Sequence, residues 1–386
     1  MNTTLNKVMN FLLKYIIRAF KSFDWPLVLI LFLFAGLGML VMHSAVGGTD
    51  GRFVDQARNF IIAFGVMWFV SLWPPSQVMK IVIPFYVLGC ALLLAVLLFG
   101  YTSKGATRWL DIGVARIQPS EMMKLCVPMM LAWYFDKHRS DLRIRDFFIA
   151  GVLLLIPFAL IIKQPDLGTA LLVFATGFFV IYFAGLSFKL LTSIFVVGVI
   201  GIGLILHFEP TLCQPGFDWV ILHDYQKTRV CTLLNLNLDP LGKGFHTIQG
   251  MIAIGSGGIY GKGYLQGTQT HLDFIPEQTT DFIFAVFAEE FGLYGSVFLL
   301  ILYTLLIARC FVITLRAKTQ FGSLLAGALT MMIFVYVFVN MGMVMGILPI
   351  VGVPLPFMSY GGMALVTLGI ALGLLMSISN YVPKKT

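Results

Sequence analysis

A single aspartate stands where a polar stretch of the sequence gives way to a long apolar run. The segment Pro276-Glu-Gln-Thr-Thr-Asp281 is polar, and residues 282–288 after it are all apolar. A carboxylate near hydrocarbon is costly unless it is paired or used, so Asp281 is a functional candidate by default. The chemistry open to one positioned carboxylate is proton abstraction from a hydroxyl group that attacks a substrate.

Positive side chains are predicted on the same side of the membrane as this carboxylate. One set flanks a tryptophan in a short connection, and another set falls in the long segment 208–280. A single loop cation usually contacts water or lipid headgroups, and a tryptophan at an interface is usually an anchor. Taken together, the cations favour binding of an anionic group such as a pyrophosphate. The substrate-binding candidates are Arg108, Trp109, Arg116, Lys227, Arg229 and Lys262.

Three charged residues fall within or between apolar segments. Glu121 and Lys124 are three residues apart, so they share one face of a helix. Asp166 lies in a tight connection between two apolar runs. Charges inside a membrane usually face the interior of a helix bundle and pair with one another. We therefore predict a buried network of Glu121, Lys124 and Asp166, and a structural role for it is at least as consistent with the sequence as a catalytic one.

The glycines, histidines and cysteines of the sequence partly match known functional motifs. The glycine-rich run 255–263 lacks the Ser or Thr that follows the lysine of a phosphate-binding loop, so it favours close backbone approach to a substrate or tight helix turns. No cysteine or histidine spacing is typical of a metal site, and no metal or other cofactor is predicted, although a divalent cation stays open. Cys213 and Cys231 share the segment 208–280, and their spacing leaves a disulfide open.

The elements that must position these residues are transmembrane helices. The chain has 386 residues, of which 59% are hydrophobic and only 11% are charged, and about 20 apolar residues suffice for one crossing. The apolar runs are continuous, which predicts an all-α polytopic membrane protein of about ten transmembrane helices. The predicted spans are 26–46, 58–74, 80–99, 120–136, 147–163, 169–185, 189–207, 281–308, 321–343 and 359–379. In the eighth span, a straight helix would place Asp281 on a face of small residues.

The chain is expected to form one membrane domain over residues 24–380. Residues 1–23 are predicted to form an amphipathic segment on the cytoplasmic surface, and residues 381–386 a cytoplasmic tail. Segment 208–280 is the one large outer loop. The net charge of +8 does not indicate nucleic acid, because more than half of the lysines and arginines fall in predicted cytoplasmic segments. Both termini are then cytoplasmic, and the site faces the outside.

Several separated motifs, in the same order, resemble the shape, elongation, division and sporulation (SEDS) family of peptidoglycan polymerases. They run from Asp24-Trp25-Pro26 through Gly267-Thr268-Gln269 to Ser359-Tyr360-Gly361-Gly362. The motifs are more similar to those of the elongation branch than to those of the division branch. The resemblance covers nearly the whole chain.

The resemblance implies a role for individual residues. The essential aspartate of the family motif Pro-Glu-x-His-Thr-Asp-Phe matches Asp281, and Thr279 stands where the family usually has histidine. That departure leaves the role of the family histidine open. The family tryptophan matches Trp109, and the family's charged motifs match Glu121, Lys124 and Asp166.

The resemblance also implies an activity, a partner and a location. It implies a bacterial inner-membrane glycosyltransferase that polymerises lipid II during cell elongation, together with a class B penicillin-binding protein. Physical chemistry fits this activity: Asp281 would act as the base, and the cations would stabilise a lipid-pyrophosphate leaving group. The linkages of the family's donor and product imply a single inversion. The alternatives are a flippase for the lipid-linked precursor, suggested by the buried charges and broken helices, and a non-catalytic scaffold.

Overall fold

A computed structural model describes residues 23–48, 51–103, 106–111, 113, 116–139, 142–214, 224–234, 243–271 and 277–382. The predicted amphipathic segment 1–23 lies almost entirely outside this described part. So does most of the predicted tail 381–386.

Long helices dominate the described part of the chain. The N-terminal half contains α1 (Trp25–Val46), α2 (Gly51–Ser71), α3 (Pro75–Phe99), α4 (Pro119–Lys137), α5 (Ile144–Lys163), α6 (Leu167–Phe183) and α7 (Phe188–His207). The C-terminal half contains α12 (Ile283–Arg316), α13 (Gln320–Val344) and α14 (Gly362–Asn380). Each predicted span overlaps one of these helices in chain order, and the ends differ by up to eight residues.

Seven of these helices are long and apolar enough to cross a membrane: α1, α2, α3, α5, α12, α13 and α14. Helix α6 and the stretch Leu191–His207 of α7 are apolar but shorter. Helix α4 carries Glu121, Lys124, Asp136 and Lys137. The molecule is therefore a mostly helical, multi-pass membrane protein.

The expectation of an all-α chain misses a small antiparallel sheet between α3 and α4. Its strands are β1 (Tyr101–Ser103), β2 (Ala106–Asp111) and β3 (Arg116–Ile117), in the order β1-β2-β3. Strands this short carry little alternating hydrophobicity, which is the sequence signal for a strand. The sheet holds Trp109 opposite Tyr101 and Arg116 opposite Asp111.

The predicted outer loop 208–280 is partly helical. It contains α8 (Glu209–Leu212), α9 (Asp224–Leu234), α10 (Lys243–Gly257) and α11 (Thr268–His271). A disulfide joins Cys213 to Cys231 on α9. Helix α10 packs on α12 and α13, and its residue Gly250 lies close to the Phe282 ring, next to Asp281.

Helices α4, α13 and α14 form the centre of the bundle. The most apolar window of α13 is 78% buried, and nearly every residue from Pro119 to Ala132 in α4 is buried. Polar side chains fix where helices begin: Asp24 accepts a hydrogen bond from Leu27 N, and Thr319 from Gly322 N. Such caps satisfy the free N–H groups of a helix start. Burying a polar group in such an apolar centre is costly unless the group is hydrogen-bonded, so the polar groups found there need partners.

Candidate active site

Asp281 lies in a turn immediately before α12. The amide groups of Thr280 and Phe282 both donate to the carbonyl of Glu277 at 3.1 Å, and α12 begins at Ile283. The prediction that a straight helix carries Asp281 and a face of small residues is therefore wrong. Asp281 precedes the helix, and α12 breaks at Gly292, where φ is +64° and ψ is −159°.

The turn is held by the broken connection that links α13 to α14. The Ser359 hydroxyl donates to the Thr280 carbonyl at 2.6 Å, and Tyr360 N donates to the Thr279 carbonyl at 2.8 Å. Asn340 on α13 donates to the Asp281 carbonyl at 2.9 Å. These three contacts are all made to backbone carbonyls, and none of them is made to the Asp281 carboxylate.

The half-buried side chain of Asp281 lies against Gly352 in that connection. A Cβ atom added at Gly352 would lie 3.5 Å from the Asp281 Oδ2 atom. Gly352 has φ of +73°, a left-handed conformation that favours glycine. The wall beside the carboxylate at this residue is therefore formed by backbone rather than by a side chain.

The helix start that follows a second carboxylate, Asp166, packs on the same connection. A Cβ atom at Gly168, two residues after Asp166, would lie 2.5 Å from the Val351 carbonyl oxygen and 3.4 Å from that of Gly352. No side chain fits there, so the start of α6 packs directly on the connection. The structure thus brings the Asp166 and Asp281 segments together around residues 351–352, although 115 positions separate the two aspartates in the sequence.

Asp166 is held in place by the residues before α4. It caps α6 through Thr169 N at 3.4 Å, and its Oδ2 atom accepts from Gln118 Nε2 at 2.9 Å and from Ser120 Oγ at 3.1 Å. Its Oδ1 atom lies 3.9 Å from Arg108 Nη1. Arg108 also donates to the Pro165 carbonyl, and its Nε atom is buried without a hydrogen-bond partner.

Glu121 and Lys124 form a buried ion pair on α4. Lys124 Nζ lies 2.5 Å from Glu121 Oε1 and 2.6 Å from the Tyr336 hydroxyl oxygen. The Thr367 hydroxyl lies 3.4 Å from the other carboxylate oxygen. The described ion pairs connect Asp166 with Arg108 rather than with Lys124. The predicted three-residue network is thus arranged as two neighbouring clusters, linked along the backbone through Ser120.

Sequence reasoning missed Arg52 near the start of α2. Its Nη1 atom lies 3.3 Å from the Thr279 hydroxyl, two residues before Asp281. Gln56, one turn later, donates to the Ser359 carbonyl at 3.1 Å. The sequence does place an arginine and a glutamine four residues apart, which is about one helical turn. No spacing argument could connect them to residue 279.

Lys262 is engaged by a buried glutamate of α12. Its Nζ atom lies 2.6 Å from Glu289 Oε1 and 2.7 Å from the Thr268 hydroxyl. Gln269 N donates to the same glutamate oxygen at 3.0 Å. The backbone of residues 258–263 meets α12 at its break, where Leu293 N donates to the Gly258 carbonyl and Lys262 N to the Glu289 carbonyl. The close approach expected of the glycine run is therefore made to a helix.

This geometry predicts the effect of replacing Lys262 by Met. The buried Glu289 carboxylate would lose its ammonium partner but keep its backbone donor, so we expect a loss of about 1–3 kcal/mol in stability. The Michaelis constant for the substrate should not change. Thermal unfolding in detergent and steady-state kinetics measure the two effects. An increased Michaelis constant with unchanged stability would instead support the predicted role of Lys262 in substrate binding.

The remaining candidates lie on the sheet and on α9. Trp109 is half-buried on β2, and Lys227 Nζ donates to the Gln214 carbonyl at 2.9 Å. Arg116 and Arg229 belong to β3 and α9, and their side chains lie outside the described part. Among the described residues, no group of three or more His, Cys, Asp or Glu side chains is arranged to hold a metal ion.

These features define a class of molecule: a multi-pass helical membrane protein in which two aspartate-bearing segments meet at a broken connection near buried ion pairs. Comparison with known proteins gives the family. The profile of the FtsW, RodA and SpoVE family, described as cell cycle proteins, matches residues 24–384. The chain therefore belongs to this family, which confirms the resemblance seen in its motifs.

Named relatives and solved structures agree over almost the full length. The chain is 45% identical over 358 residues to the peptidoglycan glycosyltransferase MrdB of Escherichia coli K12, covering 93% of this chain and 94% of that protein. It is 32% identical to the peptidoglycan glycosyltransferase RodA of Treponema pallidum, covering 94% and 99%.

Two structural neighbours support the same assignment. A chain from a peptidoglycan synthase complex that coordinates polymerization and crosslinking matches with a TM-score of 0.76 and 28% identity, covering 92% of this chain and 97% of that one. The crystal structure of the rod shape determining protein RodA of Thermus thermophilus matches with a TM-score of 0.68 and 26% identity, covering 92% and 96%.

Proposed function

We propose that this protein is a peptidoglycan glycosyltransferase of cell elongation that polymerises lipid II. The proposal rests on one observation. The Asp281 carboxylate lies beside the backbone of Gly352, in a turn whose carbonyls accept hydrogen bonds from Asn340 and Ser359. The relatives named as peptidoglycan glycosyltransferases support it, because they match over more than nine-tenths of the chain.

In the proposed reaction, Asp281 acts as the general base. A sugar hydroxyl of one substrate attacks the anomeric carbon of another, and Asp281 accepts the hydroxyl proton. The bond between that carbon and the lipid pyrophosphate breaks, and the pyrophosphate leaves with the electron pair. A single displacement inverts the configuration at the anomeric carbon. A positioned base typically contributes about 10²–10⁴-fold to the rate.

The leaving pyrophosphate needs positive charge. Arg108 is the best-placed cation among the predicted residues, because it lies beside Asp166 at the same connection and keeps a buried Nε donor without a hydrogen-bond partner. Arg52 is a second candidate, since it contacts Thr279 in the turn of Asp281. Trp109, Arg116, Lys227 and Arg229 stay candidates for contacts with the substrate. Lys262 is less suited, because Glu289 holds its ammonium group.

The proposed setting is a bacterial inner membrane crossed ten times by one domain over residues 24–380. Both termini would be cytoplasmic, and Asp281 would face the periplasm. A class B penicillin-binding protein is the proposed partner. The structural neighbour from a complex that coordinates polymerization and crosslinking supports a partner of this kind.

The test is reconstitution of the purified chain with lipid II and the partner in lipid vesicles. We expect glycan polymer on a gel of labelled products. A second assay with lipid II confined to one leaflet measures transfer across the bilayer. Transfer without polymer would overturn the proposal in favour of the flippase, and neither activity would favour a scaffold.

A further inference from the structure

The Asn340 side chain makes two contacts that converge on the candidate site. Its Nδ2 atom donates to the Asp281 carbonyl at 2.9 Å and to the Val353 carbonyl at 2.7 Å. A side-chain amide nitrogen has two N–H donors, so both are used. The residue is fully buried in α13, the helix with the most buried apolar window.

These two carbonyls belong to the two sides of the site. Asp281 supplies the carboxylate, and Val353 follows Gly352, the residue that faces the Asp281 Oδ2 atom. One amide on a central helix therefore sets the distance between the carboxylate-bearing turn and the opposite wall. The other contacts of the turn, from Ser359 and Tyr360, reach Thr280 and Thr279. Among the described contacts of this turn, the bond from Asn340 is the one made to the Asp281 carbonyl oxygen.

We propose that Asn340 is a positioning residue that fixes the Asp281 carboxylate relative to the 352–353 backbone. This inference rests on the proposed function, because it assigns Asn340 an effect on the rate through Asp281. Asn340 does not contact the carboxylate, so it does not act as an acid or a base.

The physical reason for a large effect is the dependence of rate on geometry. A base must lie within hydrogen-bond reach of the proton that it takes, and a displacement of about 1 Å can lower the rate about 10²-fold. Both carbonyls accept from the same amide nitrogen, so one group couples the turn to the wall. Without that group, the turn keeps its bonds to Ser359 and Tyr360 but loses its link to α13 and to Val353, so the carboxylate can shift relative to the 352–353 backbone.

The test compares two Asn340 variants of the full-length protein with its partner. Asn340→Leu has a similar size and no donor, and Asn340→Ser keeps one shorter donor. We expect kcat for lipid II polymerisation to fall about 10- to 100-fold for Leu and less for Ser. The dissociation constant for lipid II should stay within about twofold, because positioning of a base affects reaction rather than binding. If the Leu variant fails to fold, the Ser variant alone is compared with the wild type.

Thr330→Val is the matched control on the same helix. Thr330 is fully buried and donates to the Ala326 carbonyl at 2.7 Å. It lies ten residues from Asn340, or about 15 Å along the helix. We expect it to alter thermal stability but not kcat.

Two results would overturn the inference: an unchanged kcat in a folded Asn340 variant, or parallel loss of kcat and lipid II binding. Asp281→Asn is measured in the same assay to separate the two proposals. If Asp281→Asn keeps the wild-type rate, the proposed base is wrong whatever Asn340 does. If Asp281→Asn is inactive and the Asn340 variants are normal, only the positioning role fails.

Discussion

Replacing Asp281 by Asn should lower the rate of glycan polymerisation at saturating lipid II by about 10²–10⁴-fold. Asparagine has the same shape but cannot accept the proton of the attacking hydroxyl. The fold should survive, because the described bonds from Asn340 and Ser359 go to backbone carbonyls of the turn. The measurement is the initial rate of polymer formation from labelled lipid II, with thermal unfolding measured on the same preparation.

Asp55→Asn is the control for this experiment. Asp55 is a carboxylate on α2, paired with Arg58 at 2.9 Å, and the two side chains are 38% and 65% exposed. Exposed pairs of this kind contribute little to stability, so both rate and stability should match the wild type. A folded Asp281→Asn protein that polymerises at more than about a tenth of the wild-type rate would contradict the assignment of the base, because this loss is smaller than the range expected for a lost base.

The helices and the position of the candidate carboxylate Asp281 next to one of them could be predicted from the sequence, because both depend on local patterns. Continuous apolar runs locate the spans, and a charge at the end of such a run identifies Asp281. Helix ends were less accurate. The second span was predicted to begin at residue 58, whereas α2 begins at Gly51. Arg52 and Gln56 make the first two turns of α2 polar, so the hydropathy of the sequence leaves these turns outside the predicted span. Both residues nevertheless contact the candidate site.

The contacts that build the site could not be predicted, because they join distant parts of the chain. Glu121 and Lys124 were paired correctly, since a helix brings residues three apart together. Arg52 meets Thr279 across 227 positions, and Lys262 meets Glu289 across 27. Such pairs depend on how the helices pack. Spacing could not show that Lys262 would meet a buried carboxylate, and so the lysine was predicted to bind substrate.

The break in α12 also depends on a contact between distant parts of the chain. Gly292 lies within the predicted span 281–308, and a single glycine inside a helical pattern is tolerated without a break. The break occurs where the backbone of residues 258–263 approaches, and Gly257 packs on the Ala288 carbonyl with no room for a side chain. A tertiary contact therefore determines the local conformation here, as it often does where helices bend.

Replacing Lys124 by Met should strongly destabilise the protein. The side chain of Lys124 is 2% exposed and that of Glu121 is 11% exposed. Without the ammonium group, the Glu121 carboxylate keeps the Thr367 hydroxyl at 3.4 Å among its described contacts. Removing one partner of a buried ion pair costs about 3–5 kcal/mol, because the other charge stays buried. Thermal unfolding in detergent should show a clear decrease in melting temperature.

The double variant Glu121→Gln/Lys124→Met separates the structural role of this pair from a chemical one. It removes both charges together, and replacing a whole buried pair is often nearly neutral. Most of the stability lost in the single variant should return. If it does not, desolvation of an unpaired charge is the wrong explanation, and packing around Tyr336 must account for the loss. Activity then decides the remaining question. A stable double variant that polymerises lipid II assigns the pair to the scaffold, whereas a stable but inactive one assigns the charges to the reaction.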